Sequence, residues 1–152
     1  MIVDISQDLL NKALERIKWS LDKLAERGTI SKEKVGGEVM GRIKTSLSVA
    51  EAVKSADIMI EAVPEKLDLK KQVFAEADAN APPPHAILAT NTSSLPITEI
   101  ASATKRPERV VGIHFFNPPV LMPLVEVIKG AQTSDEVAKR LMTSLRALVR
   151  SQ

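Results

Sequence analysis

The chain is 152 residues long, enough for one domain with a substantial core. It is 44% hydrophobic and 26% charged, the balance of a folded globular protein and not of a disordered or fibrous one. Its 21 Lys and Arg against 19 Asp and Glu leave a charge of +2, too small to imply a nucleic-acid partner, and the absence of cysteine excludes disulfides, thiolate metal sites and a cysteine nucleophile.

No metal site is suggested. The opening residues lack a basic region followed by a long apolar stretch, so no secretory signal is expected. No apolar run approaches the roughly 18 to 20 residues that span a bilayer, and no membrane partner is expected. The expected compartment is the cytoplasm, or an organelle matrix.

Ile2-Val3-Asp4 reads as the end of a strand with an acid at its tip. A helix follows, because Leu10, Leu14, Ile17, Leu21 and Leu24 step by 4, 3, 4 and 3, the stripe of an amphipathic helix. Ser6 can cap its start and Gly28 can end it. Residues 31–42 read as a shorter polar helix, followed by a brief strand near Ile43 and Lys44 and a small helix near Ala50–Lys54. The run from Ala56 to Val63 is a buried strand, and Leu67 to Ala79 a helix stopped by Pro82-Pro83-Pro84. Ala86 to Thr90 is another buried strand, ending in Asn91-Thr92-Ser93-Ser94, with a helix from about Leu95 to Ser102. Arg109 to Phe116 and Leu124 to Ile128 are strands, and Ser134 to Val149 a last helix. Strands alternating with helices predict an α/β fold with a largely parallel sheet, without internal repeat or interdomain linker.

In open α/β sheets, ligands bind at the carboxyl ends of the strands. Polar residues crowd there: Asp4, Glu65, Asn91, Ser93, His114 and Asn117. Asp4 reads equally as a capping acid or as an acceptor for adenosine ribose hydroxyls, the latter selecting NAD over NADP. Gly36-Gly37 and Gly41 do not match G-x-G-x-x-G and follow a charged segment, so they read as a flexible loop between helices. His114 at a strand end, with the Glu126 carboxylate one strand away, is a pattern for general acid–base catalysis, although a lone His is more often structural. On the first helix, Arg16, Ser20, Lys23 and Arg27 fall within about 60° of one another at 100° per residue, forming a basic stripe beside the apolar one. Trp19 flanks that stripe and reads as a stacking surface or a contact residue. His85, beside the three prolines, reads as a loop residue.

Three motifs, Asn91-Thr92-Ser93-Ser94-Leu95-Pro96-Ile97-Thr98, His114-Phe115-Phe116-Asn117-Pro118 and Leu124-Val125-Glu126-Val127-Ile128, at matching spacing resemble those of L-3-hydroxyacyl-CoA dehydrogenases. Ile60-Glu61-Ala62-Val63-Pro64-Glu65 and Asp4-Ile5-Ser6 extend the resemblance through nearly the whole chain. It implies a Rossmann-like, doubly wound fold that binds NAD, an acyl-CoA substrate and a homo-oligomer. It further implies oxidation of L-3-hydroxyacyl-CoA to 3-oxoacyl-CoA in fatty acid β-oxidation, with His114 as base, Glu126 as its orienting partner, Ser93 touching substrate and cofactor, and Asn117 against the nicotinamide. Asp4, Glu65 and Lys70 match the family's NAD contacts, and Ser20 and Arg27 its CoA contacts. The alternatives are a sister dehydrogenase for 3-hydroxybutyryl-CoA or a sugar acid, or a non-catalytic remnant that binds CoA esters or oligomerises.

Against that family, residues 1–152 read as a partial NAD-binding domain. The first strand with its glycine loop and the C-terminal helical domain are expected to be missing, so the chain alone should not turn over. Without that first strand, Ile2–Asp4 is expected to face a gap with unpaired backbone on both sides. One proline is also displaced within Pro118-Pro119-Val120-Leu121-Met122 relative to the usual family pattern.

Overall fold

The computed structural model describes all residues except 82–84, 118–121, 123 and 151–152. The displaced proline segment therefore lies largely outside the described residues. The chain divides into two compact units, Met1–Ala52 and Val53–Gln152.

In the first unit, β1 (Ile2–Val3) pairs parallel with β2 (Thr45–Ser46), Ile2 opposite Thr45 and Val3 opposite Ser46. The Ile2 amide also donates to the Lys44 carbonyl at 2.8 Å. The expectation of unpaired backbone on both sides of this strand is thus corrected: a partner from later in the unit takes one side. The expected strand near Ile43 forms slightly later in the chain. Helix α1 (Gln7–Glu26) begins at Ser6, whose hydroxyl accepts from the Leu9 amide at 3.3 Å. It ends in a Schellman turn, with Thr29 N–H on the Leu24 carbonyl and Gly28 N–H on the Ala25 carbonyl, both at 3.0 Å. That turn needs a left-handed residue, and Gly28 supplies it at φ 74°. Of the apolar stripe, only Leu10 is buried; Leu14, Ile17 and Leu21 are half-buried and Leu24 is exposed.

Residues 31–42 are helical as expected but wound differently, as a π-turn over Lys34–Val39 followed by a 3₁₀ turn over Met40–Arg42. Gly36 and Gly37 lie inside this winding and not in a loop between helices. Two adjacent glycines weaken an α-helix, and no side chain caps its start. A short helix, α2 (Val49–Val53), leads into the second unit.

The second unit carries a four-stranded sheet in the order β3-β4-β5-β6: β3 (Ile58–Glu61), β4 (Ile87–Asn91), β5 (Val110–Phe115) and β6 (Val125–Ile128). The first three strands run parallel and β6 antiparallel to β5. Between them lie α3 (Leu67–Asn80) and α4 (Ile97–Ala101), and α5 (Asp135–Arg150) follows β6. The continuous apolar runs of β4 and β5 are buried because helices cover both faces. Ile87, Ala89, Val111 and Ile113 pack with Val137, Leu141 and Leu145 of α5, and Phe115, Val125 and Val127 border that cluster. On the other face, α3 lies against β4 and α4 against β5. The α4 contact leaves little room at Gly112: a Cβ there would sit 2.7 Å from Ile97 Cδ1 and 3.1 Å from Ile128 Cβ. No described helix is long and apolar enough to cross a membrane.

Candidate active site

Side chains alternate along a strand, so residues next to the α5-facing ones point to the opposite face. Phe115 and Ile113 border α5, which turns His114 the other way; Val125 and Val127 do the same for Glu126. The antiparallel register sets His114 directly opposite Glu126. Their side chains meet, with His114 Nδ1 at 2.9 Å from Glu126 Oε2. A carboxylate only accepts, so Nδ1 carries the hydrogen, and in the neutral ring Nε2 then presents a lone pair. That lone pair faces Ser93 Oγ at 3.1 Å, and the serine hydroxyl donates to it. The ring of Phe116 lies against the imidazole, with centroids 4.8 Å apart. The His114 side chain keeps 24% of its surface exposed, so the ring is reachable from solvent.

Ser93 sits in the turn that follows β4, and the Glu65 carboxylate organises this turn. Glu65 Oε1 accepts from the Thr92 hydroxyl, from the Ser93 amide at 3.2 Å, and from the Ser94 amide and hydroxyl at 3.4 and 3.2 Å. Its other oxygen lies 3.4 Å from Lys70 Nζ. Burial pushes the Glu65 carboxyl up, but the Thr92 hydroxyl, the Lys70 ammonium and the Ser93 amide outweigh it and hold the group down at about 2. The end of β4 is tied to β5 as well, since Asn91 Oδ1 accepts from the Phe115 amide at 3.3 Å.

Lys70 is fully buried. Its ammonium contacts both oxygens of buried Glu61, at 2.8 and 3.1 Å, and donates to the carbonyls of Val63 and Asn91 at 3.3 Å. Glu61 also accepts from the Val63 amide at 2.6 Å and the Thr90 hydroxyl at 2.7 Å. Lys70 was expected to match a cofactor contact; here it lies beneath the turn and offers no surface to a cofactor. Glu61 had no role assigned from sequence, although two signals were present. It interrupts an apolar strand, and Lys70 lies on one helical face with Phe74 and Ala77, at steps of 4 and 3.

The remaining residues are placed as follows. Asn117 is exposed just past β5. In the first unit, Asp4 follows β1 and its carboxylate accepts from the adjacent Ile5 amide at 2.7 Å, while the cap of α1 is Ser6. Arg16, Lys23 and Arg27 are exposed along α1, Ser20 is half-buried, and Trp19 is exposed. Lys23 pairs with Glu26 at 2.7 Å. His85 is exposed in a turn.

The profile of the 3-hydroxyacyl-CoA dehydrogenase NAD-binding domain matches residues 1–151. The chain belongs to this family. Among relatives of the NAD-binding domain, a probable 3-hydroxybutyryl-CoA dehydrogenase of Bacillus subtilis is 46% identical over 139 residues, which are 91% of this chain and 47% of that protein. The human mitochondrial hydroxyacyl-coenzyme A dehydrogenase is 41% identical over 152 residues, 97% of this chain and 48% of the relative. The crystal structure of (S)-3-hydroxybutyryl-CoA dehydrogenase from Ralstonia eutropha superposes with a TM-score of 0.85 at 38% identity, covering 98% of this chain and 50% of that one. The Rossmann-like α/β fold is therefore shared with dehydrogenases of this class, and the chain spans about half the length of these curated relatives.

Proposed function

We propose that this domain serves the NAD-dependent oxidation of an L-3-hydroxyacyl-CoA to the 3-oxoacyl-CoA, as in fatty acid β-oxidation. The observation that carries this reading is the hydrogen-bonded line Ser93–His114–Glu126 at the carboxyl ends of β4 and β5. His114 Nε2 takes the proton of the substrate's 3-hydroxyl while the hydrogen on C3 leaves as hydride and the C3–O bond becomes a carbonyl. Glu126 holds Nδ1–H in place and stabilises the imidazolium formed. The Ser93 hydroxyl turns from Nε2 to donate to the oxygen on which charge develops.

NAD, when bound, supplies the hydride acceptor. The donor set suits it in part. Asp4 offers a carboxylate acceptor for ribose hydroxyls at the end of β1, which also favours NAD over NADP, and the resemblance assigns Ser93 and Asn117 to the nicotinamide. Lys70 is withheld by its burial, whereas Glu65 keeps 40% of its side-chain surface open beside Ser93. The CoA moiety would be held by Ser20 and Arg27 on α1.

The test is steady-state oxidation of 3-hydroxybutyryl-CoA and longer homologues with NAD and with NADP, in a full-length protein that carries this domain together with the glycine loop and the helical domain. His114→Gln should lower kcat by about 10³-fold or more while leaving NADH binding nearly unchanged. A loss under about tenfold would remove His114 from the role of base.

A further inference from the structure

The buried Glu61–Lys70 pair is more elaborate than core packing requires. Both side chains are fully shielded. Taking two charges out of water is costly, and well-packed apolar residues commonly replace such a pair without loss. The pair must therefore be read through what else it touches. Lys70 reaches two points on the segment that carries Ser93. One is the Asn91 carbonyl, immediately before the turn, at 3.3 Å. The other is Glu65 Oε2 at 3.4 Å. That second contact leaves Glu65 Oε1 to receive the Ser93 and Ser94 amides at 3.2 and 3.4 Å. The Ser93 turn is thus gripped at both ends by groups anchored on one ammonium.

Glu61 fixes that ammonium. Glu61 is itself held from two sides, by the Val63 amide and the Thr90 hydroxyl. It is part of β3, paired along its length to β4, so its position is set by the sheet. A pair that served packing alone would need Lys70 to meet Glu61 only.

We propose that Glu61 is a positioning residue: through Lys70 and Glu65 it fixes the turn that keeps Ser93 Oγ on His114 Nε2. This rests on the reading of His114 as the base. Neither Glu61 nor Lys70 touches the reacting atoms; they govern how often Ser93 is in place. Small misplacement of a positioned group lowers turnover steeply, because near-attack geometry is lost.

Two variants test it in the same full-length protein, beside wild type and His114→Gln. Glu61→Gln removes the charge and keeps the shape. The double substitution Glu61→Leu with Lys70→Met replaces the whole pair by apolar groups and removes the risk of an unpaired buried ammonium. Either should lower kcat by about tenfold to a hundredfold with KM for the CoA substrate within about twofold of wild type. Amide hydrogen exchange at Ser93 and Ser94 should accelerate by about tenfold or more. The Nδ1 proton resonance of His114 should persist, since its carboxylate lies on β6 and not on the strut. If Glu61→Gln fails to fold, the double variant decides. A folded variant with kcat and both exchange rates within about twofold of wild type overturns the proposal. So does a loss of turnover in which the His114 resonance disappears too. Should His114→Gln itself turn over normally, the base reading falls, and the exchange rates alone judge the strut.

Discussion

The two units of the chain reach order by different means. The second unit builds its sheet from strands of four to six residues with a core of fully buried aliphatic side chains. The first relies on two-residue strands, a long helix with a single buried residue, and a π-turn. In the second, every group proposed for proton transfer is tied by at least one side-chain hydrogen bond. In the first, the residues matched to ribose and CoA are a carboxylate bonded to the next amide and a row of mostly exposed helix side chains. In the proposed function, chemistry that needs sub-ångström placement belongs to the unit with the continuous core, and recognition of bulky anionic groups is assigned to surface side chains that can adapt. Rigidity of the supporting elements is what permits the difference.

The largest effect expected within this contrast, after loss of the base itself, comes from Glu126→Gln. The amide keeps the shape and loses the charge that stabilises an imidazolium, so kcat should fall by about tenfold to a hundredfold in the same assay. The comparison is then sharpened by one glycine from each unit. Gly112→Ala forces a methyl group against Ile97 and Ile128 within a filled interior and should cost about 1 to 3 kcal/mol in urea unfolding. Gly28→Ala meets no neighbouring atom within 4 Å but places a Cβ at φ 74°, and should cost about 1 kcal/mol. If Gly28→Ala proved the more damaging, the division into a close-packed and a loosely packed unit would not stand. The smallest effect is one of pH. The Glu65 carboxyl is lowered in the fold from 4.5 to about 2, so its contribution is complete above the unfolded value and is lost as pH falls toward the folded one. The carboxylate is 40% exposed, so solvent screening keeps the effect modest. Thermal unfolding followed from pH 6 to about pH 2 should show a shallower decline in Glu65→Gln than in wild type.

Much of the second unit was legible in the residues. Helices and strands were expected where they occur, because apolar runs of strand length punctuated by proline and polar turns have few other solutions. The His114, Glu126 and Ser93 group was legible from motif and strand position. Strand ends were less so: the run from Ala56 to Val63 yields only Ile58–Glu61, since pairing ends where Glu61 turns to serve Lys70 and the Val63 amide. The burial of Lys70 was not legible for a related reason. A charged residue on a helix is ordinarily solvated, and burial depends on a partner brought in by the fold. The partner of β1 was unreadable locally, because pairing Ile2 with Thr45 closes a long stretch of chain for two residues of ladder.

The opposition of His114 and Glu126 has a consequence for how this geometry is inherited. The backbone ladder between β5 and β6 sets it, and neither side chain has to find the other. Neighbouring side chains can therefore drift over generations without separating the two groups. A slip of one residue in that ladder is different. It would turn Glu126 toward the interior in a single step and leave the imidazole facing a valine. Lineages carrying this domain should accordingly vary freely in the identity of residues around the dyad, and vary in chain length between the two strands only where the alignment of Gly112 with Ile128 is left intact.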